Sequence, residues 1–98
     1  MSEGYQFDYT AGAKRQIQDV AAIARETGKL QQFVAIMKQA VHLMQTEPNV
    51  WGDPEYRSKY VDGLFCHGLI RPVTFRYVIY EQVRGVVLLS VKLYANFQ

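Results

Sequence analysis

The sequence predicts an α+β domain in which an N-terminal strand precedes a pair of antiparallel helices, and the helices cover one face of a small antiparallel sheet. Three observations lead to this fold class: an alternating segment near the N-terminus, two segments with helical periodicity, and a C-terminal third rich in β-branched and aromatic residues. The chain has 98 residues, of which 49% are hydrophobic and 20% charged. That length and composition suit a single domain, residues 1–98, with one core.

The first strand and the first helix follow each other directly. Residues 5–9 alternate aromatic and polar side chains, which is the pattern of a short strand. Thr10 can cap the next helix, because its hydroxyl can accept a hydrogen bond from a backbone N–H of the first turn. Apolar residues then recur at three- and four-residue steps through residues 11–27, and Gly28 is suited to end this helix.

A second helix is predicted over residues 30–46, since the same periodicity recurs there and Pro48 cannot continue it. The connection is short, so the two helices should pack as an antiparallel pair. His42 has no second ligand three or four residues away, and we expect no metal site there. Trp51 follows in a loop, where we expect it to pack on the core; exposed, it would instead anchor a partner.

The last third predicts a three-stranded meander over residues 64–71, 73–80 and 86–94, after a polar segment with no clear periodicity. Gly68 suggests a bulge, and Pro72 belongs at an edge or at the bend into the next strand. Counting by two along the last two strands puts Arg76, Lys92 and Tyr94 on one face. The same count assigns Val86 and Leu88 to that polar face, which we expect to be open to solvent or a ligand.

Charge and cysteine usage limit the function classes. A net charge of +2 is too small to bind nucleic acid through overall charge, so a polyanion site would need local clustering. The single cysteine, Cys66, excludes an internal disulfide and is expected to be a buried structural thiol. We see no secretory signal in residues 1–10 and no apolar stretch of about 20 residues, and therefore expect a cytoplasmic protein without a membrane segment.

The order of elements resembles the RelE/ParE superfamily of bacterial toxin–antitoxin systems, which includes plasmid stabilisation-like proteins. The likeness rests on Glu47-Pro48, Gly52-Asp53-Pro54, Phe75 to Tyr80, and Val86 to Tyr94. It implies a toxin-like protein that binds RNA and, if active, cleaves mRNA on the ribosome without a metal or other cofactor. It also implies a cognate antitoxin as partner.

Two other interpretations remain open. One is a non-catalytic binding protein of the same fold, either a poison directed at DNA gyrase or a degenerate homologue that acts through protein–protein contacts. The other is a homodimer that buries the polar face of the sheet.

By position, the resemblance assigns catalytic roles to Arg76, Lys92 and Tyr94. Arginine offers a planar fork for phosphate, lysine a compact cation, and tyrosine an acid, a base or a stacking surface. The residues expected to bind substrate are Arg57, Lys59, His67, Arg71 and Tyr80.

Two alignments of the central strand are open. In the first, Arg76 and Tyr80 match the arginine and the tyrosine of the family's strand motif. In the second, Tyr77 matches the family tyrosine and Thr74 takes the position of the arginine, so that the catalytic arginine is absent. Without any substrate role, Arg76 and Lys92 would be the charges of a solvated sheet face that prevent pairing with another molecule.

Overall fold

A computed structural model of the chain describes residues 4–60 and 62–98. Residues 1–3, part of the segment in which we see no secretory signal, and Val61, in the polar segment before the meander, lie outside the described residues. The elements in chain order are β1 (Gln6–Tyr9), α1 (Ala11–Glu26), α2 (Leu30–Thr46), α3 (Pro48–Trp51), β2 (Asp53–Arg57), β3 (Leu64–Ile70), β4 (Val73–Tyr80) and β5 (Gly85–Leu93). A 3₁₀ turn at Glu81–Val83 joins β4 to β5.

The strands form one sheet in the order β1-β5-β4-β3-β2. Strand β1 runs parallel to β5, and the other neighbours are antiparallel. The α+β class, the N-terminal strand, the helical pair and the meander are all confirmed. The edge strand β2 was not predicted, because Asp53 and Pro54 are poor strand formers and no alternation follows them.

Local capping sets the helix boundaries as predicted. The Thr10 hydroxyl accepts a hydrogen bond of 3.0 Å from the backbone N–H of Ala13 at the start of α1. Gly28 lies just beyond the end of α1 with φ of +72°, a conformation that favours glycine. In the described ranges, no helix is both long and apolar enough to cross a bilayer.

The core lies between the two long helices and one face of the sheet. Its helical members are all buried, as the periodicity predicted: Ala13, Val20, Ala24, Phe33, Ile36, Ala40 and Met44. The sheet contributes Cys66, Val73, Phe75, Tyr77, Ile79, Val86, Leu88 and Val91. The helices therefore cover one face of the sheet and leave the other open.

A bulge in β5 corrects part of the predicted face assignment. Arg76 pairs with Ser90 and Tyr77 with Leu88, so Leu89 is an extra residue in β5. The extra residue changes the parity of the strand, and Val86 and Leu88 face the helices instead of the polar side. The prediction that alternate residues share a face was wrong for the part of β5 before Leu89, because it assumed regular pairing between β5 and β4 without a bulge.

Trp51 packs against the core, as predicted, although it is the last residue of the short helix α3 and not part of a loop. Its ring stacks on Tyr77 with centroids 5.6 Å apart and planes at 5°, and its centroid lies 5.7 Å from that of Phe75. Strand β3 pairs with β4 without a register shift, so Gly68 is not the bulge that the sequence suggested. A β-carbon at Gly68 would come within 2.6 Å of the Trp51 ring. Glycine is required there because the indole lies directly on the backbone.

Two buried acids lie side by side in this core. The Tyr77 hydroxyl donates a 2.6 Å hydrogen bond to the Pro48 carbonyl, which ties β4 to α3. Burial raises the pKa of the Cys66 thiol above its ordinary value of 9.0, and it likewise raises the pKa of Tyr77 above 10.0. Cys66 is thus buried, as the sequence predicted, and its raised pKa favours the protonated thiol.

These shifts predict a loss of stability in alkaline solution. A raised folded-state pKa contributes stability that is complete below the unfolded-state pKa and is lost as the pH rises above it. We expect the melting temperature to be steady from pH 7 to about pH 8.5 and to fall progressively above pH 9. Thermal unfolding followed by circular dichroism checks this, and the fall should be shallower in Cys66→Ala, which lacks one of the two acids. A melting temperature unchanged up to pH 11 would contradict the prediction.

The free edge of β5 is protected by the first helix. Strand β1 pairs only with Gly85–Leu88 of β5. Beyond that point the Gln16 side chain accepts a 2.8 Å hydrogen bond from the backbone N–H of Val91. A helical side chain therefore satisfies an amide that a longer β1 would have paired.

Candidate functional site

A concavity of about 350 Å³ lies on the open face of the sheet. It is lined by side chains from four strands: Tyr56, Phe65, Arg76, Leu89, Ser90 and Lys92. Because the helices pack on the opposite face, this surface is accessible to a large ligand. We call it the open-face concavity.

Arg76 and Lys92 both line the open-face concavity, so the two cations share one face. Arg76 pairs with Ser90 across β4 and β5, and Thr74 pairs with Lys92. Both charged side chains are exposed. The Lys92 ammonium makes no ion pair with any residue in ranges 4–60 and 62–98. It is thus available to an anionic ligand.

Arg76 is already engaged by an acid. Its Nη2 lies 3.1 Å from the Glu55 Oε1, and both side chains are partly exposed. Glu55 is the extra residue of a bulge in β2, since Pro54 pairs with Cys66 and Tyr56 with Phe65. The bulge brings the Glu55 carboxylate to Arg76 and the Tyr56 ring to the concavity. Arg76, Lys92 and Glu55 together carry one net positive charge.

Glu55 and Tyr56 were missed by the sequence analysis. Both lie on β2, which the sequence did not predict, so their facing could not be assigned. The one available signal is the Glu-Tyr-Arg run of residues 55–57, in which an aromatic residue lies between two charged residues within a loop-like segment.

The other expected site residues are dispersed. Arg57, at the end of β2, lies 3.7 Å from Glu81 in an exposed ion pair. Lys59 is in the exposed connection after β2, and Arg71 is in the turn between β3 and β4. Tyr94 follows β5, and its backbone N–H donates to the Pro72 carbonyl. None of these side chains lines the concavity.

His67 and Tyr80 are closer to the two cations. His67 pairs with Arg76 across β3 and β4 and is exposed. Tyr80 lies on the same side as Val78, because a β-carbon at Gly63 would meet both side chains. Tyr77, the tyrosine of the second alignment, is instead fully buried in the core. Only the first alignment therefore puts an arginine and a tyrosine on the open face.

The chemistry available in the concavity is phosphate recognition by two cations beside one carboxylate. In the described part of the chain, no three His, Cys, Asp or Glu side chains are grouped so that they could hold a metal ion. His42 is exposed on α2, as expected for a residue beside the apolar stripe.

Comparison with known proteins identifies the architecture. Among solved structures, the chain is similar to one in the crystal structure of the toxin–antitoxin complex RelBE2 from Mycobacterium tuberculosis, with a TM-score of 0.69. The match covers 95% of this chain and 94% of that chain. The chain has a RelE-like fold. In this RelE-like fold, the open-face concavity lies on the side of the sheet away from the helices.

The likeness lies in the fold and not in the sequence, because the identity between the two chains is 19%. Comparison with protein-family models and with curated proteins finds no match. A RelE-like fold by itself does not fix an activity, so the function must be argued from the site.

Proposed function

We propose that this chain is the toxin-like component of a bacterial toxin–antitoxin pair and that it binds RNA on the open face of its sheet. The observation that carries the proposal is the presence of Arg76 and Lys92 together in the open-face concavity of a RelE-like fold. Phosphate contacts supply most of the affinity in RNA recognition, and arginine and lysine are the residues that make them. The cognate partner is an antitoxin, because RelBE2 is a toxin–antitoxin complex.

Cleavage of bound mRNA at the ribosome is the activity we propose for this site. The 2′-oxygen loses its proton to a base and attacks the adjacent phosphorus, the bond between phosphorus and the 5′-oxygen breaks, and the leaving 5′-oxygen takes a proton from solvent water. Glu55 is the carboxylate that can accept the first proton, once the incoming phosphate has displaced it from Arg76. Arg76 and Lys92 then stabilise the charge that develops on the phosphorane oxygens.

The Glu55–Arg76 ion pair also favours a second candidate, a non-catalytic binding protein of the same fold. An arginine held by a carboxylate has less charge to offer a phosphate, and Tyr94 does not line the concavity. Such a protein would act on DNA gyrase or another protein partner, without cleaving RNA.

Expression in bacteria combined with an assay on translating ribosomes separates the candidates. We expect the wild-type chain to arrest growth and to cleave ribosome-bound mRNA. Arg76→Ala and Lys92→Ala should each reduce cleavage at least tenfold, because each removes a charge that stabilises the transition state. The matched control is Arg15→Ala, since Arg15 is an exposed arginine on α1.

Each outcome of these assays supports or contradicts one of the two candidate functions. Growth arrest without mRNA cleavage, accompanied by loss of gyrase supercoiling activity, would support the non-catalytic protein. Normal growth together with no detectable RNA binding would contradict the toxin-like function. Co-purification with the product of an adjacent short reading frame, expressed together with this chain, tests the antitoxin partner.

A further inference from the structure

The second half of β5 is held less regularly than the first half. Strand β1 pairs with Gly85–Leu88, so residues 89–93 have β4 as their one neighbouring strand in the described part of the chain. The bulge at Leu89 lies where this segment begins, and it interrupts the pairing with β4 at that point. Lys92 of the open-face concavity belongs to this segment. The position of Lys92 therefore depends on contacts other than a second strand.

The Gln16 side chain supplies such a contact from the helical layer. Its Oε1 accepts a 2.8 Å hydrogen bond from the backbone N–H of Val91, the residue before Lys92. Helix α1 is itself fixed on the sheet through the buried Ala13 and Val20. A strand amide that has found its acceptor on a packed helix is held in place from that side. Gln16 thus ties the second half of β5 to the helices.

A recess of about 340 Å³ between α1 and β5 also links Gln16 to Lys92. Lys92 lines this recess as well as the open-face concavity, so its side chain lies at the rim between the two. The stem of a lysine commonly packs on apolar surface while the ammonium stays in water. Such a surface is available beside Lys92, because the recess is lined by Gln16, Asp19, Val20, Ile23 and residues 91–93.

We propose that Gln16 is a positioning residue for Lys92. By holding the Val91 amide, it fixes the β5 backbone and hence the distance from the Lys92 ammonium to the phosphate that Arg76 also contacts. This inference rests on the proposed function, in which both cations stabilise the phosphorane. Gln16 does not line the open-face concavity, so it acts through Lys92 and not on the RNA. Misplacing a reacting group by about 1 Å can cost about 100-fold in rate, which is why such support matters.

Single-turnover cleavage of mRNA on translating ribosomes tests this role. Gln16→Met keeps the length of the side chain and removes the acceptor. It should lower the rate constant at saturating protein about fivefold and leave the half-saturating concentration unchanged, because a displaced lysine still attracts RNA but stabilises the transition state less well. The matched control is Gln18→Met, which should cleave like the wild type, since Gln18 is exposed on the same helix.

Two other substitutions of Gln16 make the result specific. Gln16→Glu retains an oxygen that can accept from the Val91 amide, so its rate constant at saturation should match the wild type, while its added negative charge raises the half-saturating concentration. Gln16→Asn is one methylene shorter and should lose rate as Gln16→Met does. Melting curves identify any variant that is unfolded at the assay temperature, and Gln16→Asn replaces Gln16→Met if the latter does not fold.

A double-mutant cycle with Lys92→Ala separates positioning from a general loss of structure. In the Lys92→Ala background, Gln16→Met should lower the rate constant less than about twofold, because the lysine through which Gln16 acts is gone. An equal loss in both backgrounds would mean that Gln16 supports the fold without positioning Lys92, and it would overturn the inference.

Hydrogen exchange of the Val91 amide, measured by NMR, gives a readout that needs no RNA. Exchange should be slow in the wild type and in Gln16→Glu and faster in Gln16→Met, since that variant leaves the amide without its acceptor. Exchange that is equally fast in the wild type and in Gln16→Met would overturn the inference and leave the proposed function intact.

The failure of this inference differs from the failure of the proposed function. If the wild-type chain cleaves no mRNA, the proposed reaction and the positioning role are both overturned. If the wild-type chain cleaves mRNA and the folded Gln16→Met and Gln16→Asn variants cleave it at the same rate, the positioning role is overturned while the proposed function stands.

Discussion

Replacing Gly68 by alanine will lower the free energy of unfolding by about 2–3 kcal/mol. Strand propensity alone predicts the opposite sign, since glycine weakens a strand interior. The reason for the reversal is steric: a β-carbon at Gly68 would lie 2.6–2.8 Å from three atoms of the Trp51 ring. The ring cannot retreat freely, because it is stacked on the buried Tyr77. Chemical denaturation should show the loss as a lower midpoint with an unchanged slope.

Gly12→Ala is the matched control for Gly68→Ala. A β-carbon at Gly12 would meet only the Thr10 hydroxyl oxygen, at an ordinary contact distance of 3.8 Å. In a helix the same substitution should therefore raise stability by about 0.5–1 kcal/mol. In a Trp51→Leu background the clash is relieved, so Gly68→Ala should cost less than about 1 kcal/mol there. An equal cost in both backgrounds would contradict the steric explanation.

Replacing Glu55 by glutamine will increase affinity for single-stranded RNA about tenfold. The substitution removes the acid that contacts Arg76 in the described part of the chain, so the net charge of Arg76, Lys92 and residue 55 rises from one to two positive charges. It also frees the arginine fork for a phosphate. Binding measured over a range of salt concentrations should become steeper, by about one counterion released.

Cleavage should respond in the opposite direction to binding. If Glu55 accepts the 2′-hydroxyl proton, Glu55→Gln binds RNA more tightly but cleaves at least 100-fold more slowly. Stability should change by less than about 1 kcal/mol, because the Glu55–Arg76 pair is partly exposed. Glu26→Gln, at the exposed end of α1, controls for the change in overall charge. Tighter binding with unchanged cleavage would remove Glu55 from the mechanism and leave its electrostatic role intact.

Most of the fold could be predicted because local signals and global packing agree. The Thr10 cap, the Gly28 terminus and the apolar stripes of α1 and α2 each depend on a few neighbouring residues. The alternation in β4 is also local, and it correctly placed Arg76 on the open face and Phe75 in the core. Elements of this kind are specified by their own sequence.

The parts that could not be predicted depend on pairing between distant residues. The extra residue Leu89 becomes a bulge only when β5 is laid against β4, so no count along β5 alone could locate the change of face. Strand β2 is held at the edge by β3 and by the Tyr56–Phe65 stack, and its own residues are poor strand formers. The acid and the ring of the site lie on this strand. The sequence therefore predicted the two cations of the site, Arg76 and Lys92, but not the neighbouring Glu55 and Tyr56.

The hydrogen bond from the Val91 amide to Gln16 bears on how this protein behaves when concentrated. An edge strand with unpaired backbone N–H and C=O groups can pair with a strand of a second molecule, and such pairing is a common start of self-association. Here an incoming strand would first have to separate the glutamine from that amide, and leaving either group without a partner is unfavourable. A single side chain thus discourages the addition of a strand at this part of the β5 edge, without adding any charge to the surface.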